Sequence, residues 1–125
     1  MLTRTDIDRV VAAALAEDAP WGDVTAEAFV PASARAQADL VAREPGVFSG
    51  GDVFATAFSL TDPAIAVTVH LADGDTFAVG DVIASVDGPA RGVLTAERVG
   101  LNFAQRMSGI ATLTSRYVAA VTGTG

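Results

Sequence analysis

With 125 residues, the chain has the length of one domain: long enough for a real core, but short for a complete α/β-barrel enzyme. Half of its residues are hydrophobic and 18% are charged, which excludes a disordered chain. The net charge is −7, the eight basic residues are all Arg, and there is no Cys. These features exclude a nucleic-acid partner, disulfides, Cys-ligated metals and lysine Schiff-base chemistry.

Targeting signals are the next feature that the sequence can exclude. The N-terminal segment carries acidic residues early and has no long apolar run, unlike a secretory signal peptide. No apolar run approaches a membrane-spanning length. We therefore expect a cytoplasmic protein without a membrane partner.

An amphipathic helix is predicted over about residues 5 to 17. Thr5 is the expected N-cap, and Pro20 and Gly22 predict an end near Asp18. A loop from Glu17 to Thr25 should follow, with Trp21 as a hydrophobic plug. The apolar face of the helix comprises Ile7, Val10, Val11, Ala14 and Leu15.

The middle of the chain predicts a strand, a turn and a second helix. Residues 34–43 alternate between apolar and polar side chains, as in a strand with one wet face. Pro45 and Gly46 form a turn signal. The second helix begins at the two glycines 50–51 and ends at Asp62. Its apolar positions are Val53, Phe54, Ala57 and Phe58.

Short strands joined by Asp-Gly turns follow. In the first, Ile65, Val67, Val69 and Leu71 share one face, and Ala66, Thr68 and His70 share the other. A further strand covers 82–86. The turns resemble the β-hammerhead of biotinyl- and lipoyl-type domains, but a chain without Lys cannot carry those cofactors. The clustered acids do not match an EF-hand loop, so we interpret them as turn formers. His70 has no second ligand or nucleophile motif near it and is interpreted as a half-buried strand residue.

Two helices are predicted to end the chain, one from about residue 91 and one over about 111–121, separated by a break at Ser108 and Gly109. Leu113, Tyr117, Val118 and Val121 should face inward, and the last four residues should form a loop-like tail. The complete element order predicts an α+β fold, with a small, mostly antiparallel sheet covered by helices. Exposed apolar surface on the final helices would favour self-association.

The segment ERVGLNFAQRMSGIAT, residues 97–112, contains the strongest candidate site. Arg98 and Asn102 are four residues apart and share a helix face, which suits a carboxylate or phosphate. Glu97 points away from Arg98. Alternatively, Arg98 is a solvated helix residue or pairs with an acid from a neighbouring element. Arg106 and Arg116 either extend a cationic surface or form surface ion pairs. Gly100 suggests close backbone packing, for example against another subunit.

This segment resembles the end of the N-terminal domain of quinolinate phosphoribosyltransferases. The similarity extends through PASA, VAREPGVFSGGDV and the Asp-Gly turns to an ED…GD.T pattern, with matching letters at Asp18, Gly22, Asp23 and Thr25. The resemblance implies that residues 1–125 are an α/β-sandwich N-terminal domain whose catalytic α/β barrel is absent. Catalytic and metal-binding residues would lie in that barrel and not in this chain.

The family makes nicotinate mononucleotide, pyrophosphate and carbon dioxide from quinolinate and phosphoribosyl pyrophosphate with Mg²⁺. The resemblance implies a homodimer in which Arg98, with Asn102 beside it, reaches a quinolinate carboxylate in trans. The isolated domain should be inactive. Alternatives are the N-terminal domain of a related phosphoribosyltransferase-like protein associated with molybdate transport, and a non-catalytic hammerhead interaction module.

Overall fold

A computed structural model describes residues 3–18 and 30–124, with side chains described up to residue 119. The loop around Trp21 lies outside this part, as do Gly22, Asp23, Thr25 and the side chain of Val121. Helices and strands mix as predicted for an α+β fold, and the described residues form no closed barrel. The elements are α1 (Arg4–Asp18), β1 (Arg35–Val41), β2 (Gly46–Val47), α2 (Gly51–Thr61), β3 (Ala66–Val69), β4 (Thr76–Phe77), β5 (Val82–Pro89) and α3 (Ala90–Thr124).

Two small sheets form, and every strand pair within the described residues is antiparallel. The first has the strand order β1-β5-β3, and the second consists of β2 and β4. Two of the acids interpreted as turn formers do form turns: Asp75 accepts a hydrogen bond from the Ala72 amide and Asp81 accepts one from the Ala78 amide, both at 2.8 Å. Such contacts within a turn satisfy backbone donors that the ladders leave unpaired. The turn predicted at Asp87 is wrong, because Asp87 lies within β5 and pairs with both neighbouring strands.

The first helix begins two residues earlier than expected for a helix capped by Thr5. Thr3 is the capping residue: its hydroxyl accepts a hydrogen bond from the Asp6 amide, and the Asp6 carboxylate accepts one from the Thr3 amide. This reciprocal pair is a capping box with Asp in the place of Glu. Ile7 and Val11 are buried as predicted, but Val10 is 47% exposed because it lies at the margin of the apolar face.

The second helix starts at a left-handed glycine. Gly50 has φ +98°, and a Cβ atom there would lie 2.9 Å from the sulfur of Met107, so the position favours glycine. The side chain of Asp73 accepts hydrogen bonds from the amides of Gly50 and Gly51 and so caps the helix from a distant turn. All four predicted apolar residues of α2 are buried.

The third helix is continuous, so the predicted break at Ser108 and Gly109 is wrong, as is the predicted tail at its end. The Ser108 hydroxyl accepts a hydrogen bond from the Ser49 amide and donates one to the Ser49 carbonyl, both at 3.1 Å. The Thr112 hydroxyl accepts from the Val47 amide at 2.9 Å. These hydroxyls bind the segment 47–49 to α3, so residues that are poor helix formers are placed by tertiary contacts.

On the C-terminal side of Thr112, α3 presents large apolar side chains to solvent. Leu113, Tyr117 and Val118 were expected to face inward, but they are 56%, 67% and 59% exposed. The apolar spacing identified a helical face, but these three side chains on it stay largely exposed. Within the described residues, no helix is both long enough and apolar enough to cross a membrane.

Candidate anion-binding groove

An open groove of about 840 Å³ lies between the last turns of α1 and the middle of α3. Helix α3 contributes Arg98, Asn102 and Arg106 to its wall, and α1 contributes Glu17 and Asp18. The groove therefore holds both side chains that the sequence singled out. It also contains two acids that the sequence analysis did not include in the site.

Packing of α1 against α3 explains why these side chains line the groove. On α3, Val99, Phe103 and Met107 recur every four residues and pack into the apolar cluster around Ile7 and Val11 of α1. Arg98, Asn102 and Arg106 each precede one of these residues, so they lie about 100° around the helix, at the edge of the interface. The four-residue spacing of the apolar side chains on α3 thus places the neighbouring Arg and Asn side chains at the mouth of the groove.

Arg98 is exposed and also has an acidic neighbour. Its side chain is 74% exposed, and one terminal guanidinium nitrogen lies 3.5 Å from a carboxylate oxygen of Asp18. The Asp18 side chain is only 23% exposed. The sequence left a solvated Arg and an Arg paired with a neighbouring acid as alternatives. In the structure Arg98 is both exposed and paired, and Asn102 beside it is exposed.

Other charged residues of α3 lie on two different sides of the helix. Glu97 and Arg116 line a different concavity, of about 1100 Å³, on the side of α3 that faces β1 and β2. Glu97 therefore does not neutralise Arg98. Arg106 shares the groove with Arg98, and makes no ion pair with a described residue. The cationic surface consequently extends from Arg98 to Arg106 but not to Arg116.

The charges of the groove nearly cancel. Two Arg side chains face Glu17, Asp18 and the negative end of the α1 dipole, whose last turn contains no basic residue. The arrangement suits a bound carboxylate only if further cations meet the same ligand. No three His, Asp or Glu side chains come together as a metal site anywhere in 3–18 or 30–124.

Two further sequence interpretations change in the structure. A Cβ atom at Gly100 would lie 3.0 Å from the ring of Phe58 and 3.4 Å from that of Phe54. The close packing inferred for Gly100 therefore exists, but its partner is α2 of the same domain and not another subunit. His70 is exposed just beyond β3 and not half-buried, with Nε2 3.1 Å from the Ser85 hydroxyl.

Comparisons with known proteins identify the family. The family model for the quinolinate phosphoribosyl transferase N-terminal domain matches residues 23–108. A probable nicotinate-nucleotide pyrophosphorylase (carboxylating) of Bacillus subtilis is 40% identical over 102 residues, which are 82% of this chain and 35% of the relative. The chloroplastic enzyme of the same name from Arabidopsis thaliana is 43% identical over 110 residues, 87% of this chain and 32% of the relative. The chain thus spans about a third of the length of the curated relatives it matches.

Solved structures agree with this match. NadC from Streptococcus pyogenes superposes with a TM-score of 0.90 at 38% identity, covering 96% of this chain and 43% of the other. The nicotinate-nucleotide pyrophosphorylase from Francisella tularensis also gives 0.90, at 30% identity, covering 98% and 44%. The chain belongs to the quinolinate phosphoribosyltransferase family and corresponds to its N-terminal domain.

Proposed function

We propose that this chain is the substrate-covering and dimerisation domain of a quinolinate phosphoribosyltransferase in NAD biosynthesis. The observation that carries the proposal is Arg98, a mostly exposed cation at the mouth of a groove, one residue before the buried Val99. A dicarboxylate in a closed site needs cations placed in advance, and a guanidinium provides two parallel donors for a carboxylate. Arg98 supplies such a pair to a quinolinate carboxylate in the partner subunit's barrel, with Asn102 beside it.

The remaining chemistry belongs to the catalytic barrel of the complete protein. Phosphoribosyl pyrophosphate and its Mg²⁺ bind there. The metal neutralises pyrophosphate charge when it is bound. The contribution of this chain is to bind one carboxylate, to exclude water by covering the site, and to hold two subunits together. The name of the matching family model favours quinolinate over a substrate of the molybdate-transport relative.

The first test replaces Arg98 in the complete protein. We expect Arg98→Ala to lower kcat/KM for quinolinate on the order of 10²-fold, the loss typical of removing one preorganised donor from a closed site. Arg116→Ala is the matched control, because Arg116 lies on the same helix but faces the other concavity. Equal kinetics for the wild type and Arg98→Ala would remove Arg98 from the site.

Mixed dimers test whether the contact is made in trans. One subunit carries Arg98→Ala with an intact barrel, and the other carries intact Arg98 with an inactivated barrel. If Arg98 acts in trans, each mixed dimer has one complete site, and random mixing restores about a quarter of wild-type activity. If Arg98 acts on its own subunit's barrel, no mixed dimer has a complete site and activity stays at the level of the parents.

The domain alone should not catalyse the reaction. Its two groove cations are opposed by Glu17 and Asp18, and no further cation lines that groove within the described residues. We expect the 125-residue chain to form no nicotinate mononucleotide from quinolinate and phosphoribosyl pyrophosphate with Mg²⁺. Product formation by a pure sample, measured by chromatography, would contradict this assignment.

A further inference from the structure

We propose that Asp18 is the positioning residue for Arg98, holding the guanidinium by one nitrogen so that its remaining donors are oriented toward the substrate carboxylate. This inference rests on the proposed function, because it assigns the contact of Arg98 to quinolinate. It concerns a residue at the end of α1, on the opposite wall of the groove from the cation that it orients.

The two side chains differ in how far solvent reaches them. The carboxylate of Asp18 is 23% exposed and sits at the end of α1, whereas the Arg98 side chain is 74% exposed. The α1 backbone is anchored by the packing of Ile7 and Val11 against α3. Asp18 is therefore the less exposed partner of the pair and Arg98 the more exposed one. An ion pair with a carboxylate reduces the rotamers that a long, exposed side chain samples.

The geometry leaves most of the guanidinium available. The contact joins NH1 of Arg98 to Oδ1 of Asp18 at 3.5 Å, and among described residues the other two nitrogens have no partner. A guanidinium has five N–H donors, and Nε with NH2 forms one of its forks. A substrate carboxylate can therefore bind that fork while Asp18 keeps NH1. Asp18 does not have to leave for the substrate to bind.

Kinetics of the complete protein separate positioning from a general structural role. Asp18→Ala should raise KM for quinolinate about fivefold, the upper range for an exposed ion pair, and leave kcat and KM for phosphoribosyl pyrophosphate unchanged. Asp18→Asn, which keeps an oxygen acceptor, should recover part of the loss. Asp39→Ala removes one exposed acid from the outer face of β1 and serves as the charge control.

A double-mutant cycle gives the decisive result. If Asp18 acts through Arg98, Asp18→Ala has no further effect on KM in the Arg98→Ala background. If the two effects multiply, Asp18 acts independently and the positioning role is overturned. If Arg98→Ala itself leaves kcat/KM for quinolinate unchanged, the proposed function fails first, so the two failures are distinguishable.

The chain itself offers a second readout that needs no catalysis. NMR relaxation of the Arg98 Nε–H group should report a more ordered side chain in the wild type than in Asp18→Ala, while Arg106 stays the same in both. Unchanged Arg98 order in Asp18→Ala would overturn the positioning role even if the variant lost activity. Circular dichroism of each variant checks that α1 remains folded.

Discussion

The hydrogen bonds between α3 and the segment 47–49 predict a measurable loss of stability in Thr112→Val. The substitution keeps the branched shape and a similar helix propensity, but removes the oxygen that accepts from the Val47 amide at 2.9 Å. Leaving a buried donor without a partner costs about 1–3 kcal/mol. Because this site is only partly buried, we expect a loss in the lower half of that range, about 1–2 kcal/mol in the free energy of unfolding.

Urea unfolding followed by circular dichroism measures this change. For a domain of this size, a loss of about 1–2 kcal/mol lowers the unfolding midpoint by about 0.5–1 M. Thr114→Val is the matched control, since Thr114 is exposed on the same helix and the chemical change is identical. The reasoning is refuted if both variants unfold at the same urea concentration.

Two further stability predictions follow from the described packing. Val11→Ala removes a side chain that is 0% exposed and should cost about 2 kcal/mol, whereas Val10→Ala, at a residue 47% exposed, should be nearly neutral in the same urea titration. Gly50→Ala should cost more than about 1 kcal/mol, because φ is +98° and the added methyl group meets Met107; a thermal midpoint equal to that of the wild type would contradict this.

Sequence periodicity predicted the elements whose partners lie within the chain. The glycines at 50–51 and Asp62 gave the bounds of α2, and its apolar spacing gave all four of its buried apolar residues, because that helix packs against other parts of the same domain. The alternation from Ile65 to Leu71 likewise gave the correct inner and outer faces of β3. In these segments the local pattern and the tertiary environment agree.

The sequence predictions were wrong where a residue's environment is set by a contact far away in the chain, or where no covering element was found. Ser108 and Gly109 look like a helix break, but the Ser108 hydroxyl is satisfied by Ser49, which no local pattern reveals. Leu113 and Tyr117 have the spacing of a buried face, but spacing cannot tell whether a covering element belongs to the same chain. The exposed face agrees with the expectation of self-association, which remains a prediction.

The candidate site was predictable only in part. Helix geometry placed Arg98 and Asn102 together, and the structure shows both in one groove. The ion pair with Asp18 depends on how α1 packs against α3, which is a long-range contact. The sequence did show two acids, Glu17 and Asp18, at the end of an amphipathic helix. It could not show that Arg98 is the cation that pairs with one of them.

A crystal structure of the complete protein with quinolinate bound would test the central claim most directly. We expect the Arg98 guanidinium to lie within hydrogen-bond distance of a quinolinate carboxylate in the partner subunit's barrel while one nitrogen remains on Asp18. A bound quinolinate with no contact to Arg98 of either subunit would contradict it.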